Sequence, residues 1–191
     1  MDALTQLIEP FLSRKANPIT DALAREGIPK AVRALPCLFE EPRDKKARWD
    51  MSLVSLFGGL ALANSGLGAV HGLAGPVGAF FEAPHGAVCA RLLAPITQAN
   101  IHALKDSDQA NARAILIKYD QIARLFDAQG DTEEQRLAKL IHNLDQLIER
   151  YCPTGLSAYG LMPNNLTPVL ANCRSGSMLG NPVTLSDNVL K

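Results

Sequence analysis

At 191 residues the chain has the size of one domain, long enough to bury a full hydrophobic core. Its 19 basic and 19 acidic side chains balance, with no Lys- or Arg-rich block, so the charge gives no reason to expect nucleic acid or an anionic membrane as partner. The opening MDALTQLIEPFL lacks a basic n-region, which argues against a secretory leader, and Cys37, Cys89, Cys152 and Cys173 are too widely spaced for a zinc ribbon, fitting reduced thiols in a cytoplasmic protein.

From Asp2 to Ser13, Leu4, Leu7, Ile8, Phe11 and Leu12 recur at helical spacing, with Asp2 and Gln6 one turn apart on one side. Pro10 is expected to kink or shorten this helix. Asn17 as N-cap and Pro18 at the first helical position start the next one. Gly27 and Pro29 are expected to bend or interrupt it, and CLFEEPRD, residues 37–44, to form a loop. Asp44 caps a third helix from about Lys45 to Asn64, charged in its first turns and apolar on every face from Met51, the pattern of a buried helix. Gly66 supplies its stop.

A fourth helix is expected from Leu67 to about Phe80. It is dense in glycine, a costly residue in a helix, which predicts close approach of neighbouring helices or of a ligand. From Met51 to Phe81 there is no Asp, Glu, Lys or Arg, and His71 is the one residue that ionises near neutral pH. Length alone would nominate a membrane span, but Asn64-Ser65-Gly66 splits the run and Pro76 interrupts it, so two buried helices are expected.

Pro84 precedes His85, which opens a helix to about Leu104. Another begins near Asp108 and carries Ala112, Ile115, Leu116, Tyr119, Ile122, Ala123 and Phe126 on one stripe. After Gly130, Asp131 as cap with Glu134 three residues on begins an amphipathic helix with Leu137, Leu140, Ile141, Leu144, Leu147 and Ile148 inward. Cys152-Pro153-Thr154-Gly155 breaks the chain. A short helix from Pro163 or Asn164 to Cys173 follows, then the turn-rich SGSMLGNPVTLSDN, where Ser186 and Asp187 form a cap with no helix after it. No stretch alternates with period two for long enough to be a strand, and the fold class is all-α.

Two histidines separated by a helix and a turn can converge on one point if the flanking helices run antiparallel. Asp2 would complete a two-histidine, one-carboxylate set with open positions, which suits Fe(II) or Zn(II) and leaves room for a substrate oxygen. Spacing alone leaves His71 equally open to the reading of a buried imidazole bonded to a carbonyl. His102 and His142 fall on solvated flanks, and the cysteines read as small buried residues. GLGAVHG has no strand before it and no GxGxxG spacing, and GxSxG, HExxH and Walker A patterns are missing.

The segment GLGAVHGLAGPVGAFFEAPHGAVCARLLAP, with its His71-to-His85 separation, resembles the signature of the iron-containing (group III) alcohol dehydrogenases. MDALTQLIEPFLSRKANPITDALAREGI resembles the start of their C-terminal helical domain, and GNPVTLSDN their closing segment. The resemblance implies an oxidoreductase whose dehydroquinate synthase-like helical bundle supplies the metal ligands, at positions that here are Asp2, Gln6, His71 and His85. No catalytic residue is implied beyond that site. Gln6 stands where the family has a histidine, and its neutral amide oxygen is a poorer ligand. Gly75 stands where the family often has a histidine thought to help relay a proton.

The resemblance also implies an α/β domain that binds NAD(P), ahead of the point where this sequence begins, and a last helix beyond its end. Residues 1–191 are then expected to be a single helical metal-binding domain, inactive alone, of an enzyme interconverting a small alcohol and an aldehyde or ketone. A separate nucleotide-binding subunit could complete it, and self-association into a homo-oligomer is expected where apolar surface is left uncovered. The competing expectation is a non-catalytic helical interaction module that has lost its metal site.

Overall fold

A computed structural model of the chain describes residues 1–190. The apolar residues at the start are too many for one stripe, and helix α1 (Asp2–Leu12) is accordingly enclosed, with Leu4, Leu7 and Phe11 fully buried. Around it pack α2 (Pro18–Glu40), α3 (Lys45–Ser65), α5 (His85–Lys105) and α6 (Ala112–Leu125). Pro10 lies in the last turn of α1, where it forfeits one helical hydrogen bond but leaves little helix beyond it to disturb, and the helix ends two residues later.

Asn17 caps α2 as expected. Its side chain accepts from the N–H groups of Ile19 and Thr20, while the Thr20 hydroxyl accepts from Asn17 N–H in return. The expected interruption at Gly27 and Pro29 does not occur. The helix continues past Pro36 to Glu40, so the first half of the expected loop is helical. An interior proline costs about 3 kcal/mol, but Ala24, Ile28, Ala31 and Leu35 form a buried stripe on this helix. Pro29 and Pro36 together cost about 6 kcal/mol, and burial of Ile28 and Leu35 (about 3–6 kcal/mol), with that of Ala24 and Ala31 beside them, offsets it.

Asp44 caps α3 by accepting from Ala47 N–H at 2.6 Å, as its position before the charged turns predicted. The expectation of burial on every face is overturned. One side, with Ala47, Val54, Gly58 and Ala61, packs inward, while Trp49, Leu56 and Leu60 are 68%, 55% and 45% exposed. Apolar composition measures what a helix could bury, and contact with α1 and α2 decides what it does bury. Gly66, at φ 68°, ends α3, and α4 (Ala69–Phe81) leaves at 101° to it. Among the described residues no single helix is long and apolar enough to cross a membrane.

The glycines of α4 divide in two. A Cβ on Gly72 would meet the backbone nitrogen of Met178 at 3.0 Å, which is the close approach expected of this helix. Gly75 has nothing within 4 Å of such a Cβ.

Helix α6 starts at Ala112, a turn later than expected, and buries the expected stripe. Helix α7 (Glu133–Tyr151) takes Thr132 as its cap in place of Asp131. Gln135 is the partner in place of Glu134, because its amide oxygen accepts from both Asp131 and Thr132 N–H. The chain then runs through 3-10 turns at Leu156–Tyr159, Pro163–Asn165 and Gly176–Gly180, with the short α8 (Thr167–Asn172) among them. After Ser186 one helical turn, α9 (Asp187–Leu190), does form. No β-strand occurs among the described residues, and the protein is all-α.

The closing stretch is threaded into the bundle. Asn181 is buried, its Oδ1 accepting from Ala69 N–H and from the Asn100 amide, its Nδ2 donating to Asn100 Oδ1 and to the Val183 carbonyl. Arg14 donates from Nε to the Asn181 carbonyl at 2.7 Å. Four satisfied bonds inside a low-dielectric interior fix the last segment against α4 and α5.

Candidate metal centre

Helix α4 opens at Gly68, which has no side chain to cap the first N–H groups. Residues remote in sequence do it instead. Asn181 accepts from Ala69, and Glu9 Oε1 accepts from Val70 N–H at 2.7 Å. A carboxylate at a helix N-terminus also meets the favourable end of the macrodipole. The same carboxylate reaches further: Glu9 Oε2 lies 2.6 Å from His71 Nδ1. Both side chains are buried, so Glu9 sets the start of α4 and the orientation of the His71 ring with one group.

The other ring nitrogen faces a cluster. His71 Nε2 is 3.0 Å from Asp2 Oδ1, at the first turn of α1. Glu82, in the left-handed region at φ 49°, ends α4, and the chain turns at once into α5, which begins at His85. That tight reversal brings the two imidazoles to 5.4 Å between centroids. His85 Nε2 lies 3.8 Å from Asp2 Oδ1. Cys89, one turn along α5, holds its Sγ 3.5 Å from His85 Nε2 and 3.8 Å from His71 Nε2. One donor atom from each of Asp2, His71, His85 and Cys89 falls within 4.8 Å of all the others.

Electrostatics follow from this packing. Burial opposes protonation of His71, but the hydrogen bonds with Asp2, Cys89 and Glu9 outweigh it and push its pKa up to about 11. The His71 hydrogen bond holds Asp2 below the ordinary carboxylate range against partial burial. Burial pushes the Cys89 thiol up, opposed by its contact with His71. The cluster is open on one side, since the side chains of His85 and Asp2 are 50% and 34% exposed.

Asp2, His71 and His85, distant in sequence, are therefore brought together. Gln6 meets the group through its nitrogen: Nε2 donates to Asp2 Oδ2 at 3.3 Å. His102 and His142 are exposed and take no part in this group, in keeping with solvated flanks. Two members were missed in the sequence. Glu9 shares a face of α1 with Asp2, seven residues on, and Cys89 follows His85 by four, both spacings that put side chains on one side of a helix. Those spacings are common, and nothing local marks them out.

The donors suit a divalent ion. Carboxylate, two imidazoles and a thiol are the ligand types of zinc, and imidazole with carboxylate those of non-haem iron. A ring held from behind by a buried carboxylate is the arrangement that orients a ligating histidine.

A model of the Fe-containing alcohol dehydrogenase family, C-terminal, matches residues 1–188. Alcohol dehydrogenase 4 of Saccharomyces cerevisiae is 34% identical over 161 residues, covering 84% of this chain and 39% of the yeast protein. The 1,3-propanediol dehydrogenase of Citrobacter freundii is 39% identical over 101 residues, 53% of this chain and 26% of that one. In structure, the chain is similar to a crystallised 1,3-propanediol oxidoreductase, with a TM-score of 0.87 at 28% identity, over 98% of this chain and 47% of the other. The chain thus spans less than half the length of the proteins it matches.

Proposed function

The chain belongs to the iron-containing alcohol dehydrogenase family, matching its C-terminal part over residues 1–188, and from this premise we propose that it is the metal-binding half of an oxidoreductase for small alcohols and carbonyls. The observation that carries the proposal is the convergence of Asp2, His71 and His85 from three helices, with Glu9 behind the His71 ring.

Asp2, His71 and His85 would hold Fe(II) or Zn(II), with Gln6 as a weak neighbour. When bound, such an ion supplies Lewis-acid polarisation of a substrate oxygen. The chain's own residues do the rest. Glu9 occupies Nδ1 of His71, so that Nε2 is the atom turned toward the cluster. Asp2 contributes negative charge that offsets a cation among the rings. The half-exposed ring of His85 borders the open side, by which a small alcohol, aldehyde or ketone would enter. The printed names of the relatives, which include propanediol dehydrogenase and lactaldehyde reductase, support a short-chain substrate.

Hydride exchange needs NAD(P), and its binding belongs to a second unit, either an α/β domain of the same polypeptide or a separate subunit. Residues 1–191 then act as a single helical metal-binding domain, inactive by itself. Trp49, Leu56 and Leu60, exposed along α3, supply apolar surface for that unit or for a second copy. Four free cysteines accord with a cytoplasmic setting.

The test is metal analysis of the purified chain beside His71→Ala and His85→Ala, followed by NAD(P)H oxidation with a short aldehyde once a nucleotide-binding domain is supplied. The proposal expects bound metal in the parent, loss of it in both variants, and oxidation only with the domain present. Unchanged metal in both variants, or no oxidation in the completed system, leaves a non-catalytic helical interaction module.

A further inference from the structure

We propose that Cys89, rather than Gln6, provides the fourth ligand, making the centre a carboxylate, two imidazoles and a thiolate that favours Zn(II). The inference rests on the reading of the site as a metal centre and goes beyond it in naming the donor and the ion.

The geometry has three parts. First, the sulfur is where a fourth donor belongs. With metal–nitrogen bonds of about 2.0–2.1 Å and metal–sulfur bonds of about 2.3 Å, a tetrahedral site separates its nitrogen and sulfur donors by roughly 3.5 Å. Cys89 Sγ stands 3.5 Å from His85 Nε2 and 3.8 Å from His71 Nε2, while the carboxylate is 3.0 and 3.8 Å from the same two nitrogens. All four donor atoms lie within 4.8 Å of one another, so side-chain adjustment alone would close the set.

Second, the competing donor is turned the wrong way. Gln6 presents Nε2 to Asp2 Oδ2, and an amide nitrogen of this kind does not bind a divalent ion. Its Oε1 lies against the backbone of Gly58, where a Cβ would come within 3.2 Å of it. Third, His85 and Cys89 are one turn apart on α5, so a single rigid helix carries two of the four donors and holds their spacing. Cys89 is itself completely buried, and its sulfur is in contact with the two imidazoles, with the Asp2 carboxylate within 4.8 Å.

On binding, the Cys89 S–H bond breaks, the proton leaves to solvent and the sulfur lone pair is donated to the ion, with no change of oxidation state. A thiolate is a soft donor, and its presence shifts the preference of the set from iron toward zinc.

Cobalt(II) is the probe, because a cobalt–thiolate bond adds an intense near-ultraviolet charge-transfer band that imidazole and carboxylate do not. The chain loaded with Co(II) is expected to show that band, Gln6→Ala to keep it, and Cys89→Ser to lose it. Zn(II) affinity in Cys89→Ser should fall by at least about 100-fold, the upper end of the loss seen for outer-sphere partners. In a Gln6→His background the same Cys89 change should cost much less, because an imidazole again fills the fourth place. Co(II) bound by the parent without the band would overturn the thiolate and leave the metal centre standing. No Co(II) or Zn(II) bound at all would overturn both. Should Cys89→Ser fail to fold, the presence or absence of the band in the parent decides alone.

Discussion

Glu9 Oε2 sits 2.6 Å from His71 Nδ1, and the two residues are 62 positions apart in sequence. The contact joins the core of α1 to the first turn of α4, and the other carboxylate oxygen caps that turn through Val70 N–H. One buried acid therefore positions both a helix and a ring.

Replacing it tests the arrangement. Glu9→Gln cannot accept from Nδ1 and from Val70 N–H with equal charge, and metal affinity should drop about 10–100-fold. Competition against a chromophoric chelator measures this, with far-ultraviolet circular dichroism to check the fold. Affinity equal to the parent's would mean that the carboxylate caps α4 and has no influence on the ring.

Two glycines of α4 should respond in opposite directions. Gly72→Ala forces a methyl into the backbone of Met178 and should destabilise by about 1–3 kcal/mol. Gly78→Ala, whose Cβ would meet only the Ala83 carbonyl oxygen at 3.5 Å, an ordinary contact, should stabilise by about 0.5–1 kcal/mol. Urea unfolding of both variants gives the comparison, and equal signs would show that helix propensity, not packing, governs this segment.

Asn181→Ala removes a buried side chain that bonds Ala69, Asn100 and Val183. It leaves groups unsatisfied in the interior at about 1–3 kcal/mol each, softened where Asn100 can turn. A loss near 3 kcal/mol should lower Tm by roughly 6–12 °C for a chain of this size. A shift within about 1 °C would mean that the closing segment is held by its apolar residues alone.

Asp120 provides the pH test, away from the metal-binding cluster. Its Oδ1 accepts from Arg136 Nε at 2.5 Å and its Oδ2 from Arg124 Nε at 2.9 Å. Partial burial pushes its pKa up, but the two guanidinium groups outweigh this and hold it below the ordinary carboxylate value. A carboxyl depressed in the folded state stabilises at pH values above its unfolded pKa and loses that contribution as pH falls through the folded value. Asp120→Asn should therefore cost about 2 kcal/mol at pH 7, with most of it from the better buried Arg136 pair. The gap between variant and parent should close below about pH 4. A gap that stays constant with pH would assign the loss to packing.

The helices are legible where their signals are local. Asn17 and Asp44 cap the helices they precede, and the stripe from Ala112 to Phe126 faces inward, because capping and periodicity depend on residues within a turn or two. The end of α2 was not legible, since Gly27 and Pro29 read as breakers and residues 37–44 as a loop until the burial of Ile28 and Leu35 against neighbouring helices is counted. Nor was the exposed side of α3, whose apolar residues look alike whether or not a neighbour covers them.

For the site, the residue types and the resemblance pointed to Asp2, His71 and His85, and the sequence alone determined that such donors exist within an all-α chain. Only tertiary structure decided that they meet. It also decided that Glu9 stands behind the ring, that Cys89 lies within reach of both imidazoles, and that Gln6 turns its nitrogen inward. The physical reason is range: a cap or a stripe is set by neighbours along the chain, whereas a donor cluster depends on how separate helices pack and turn, which no single segment encodes.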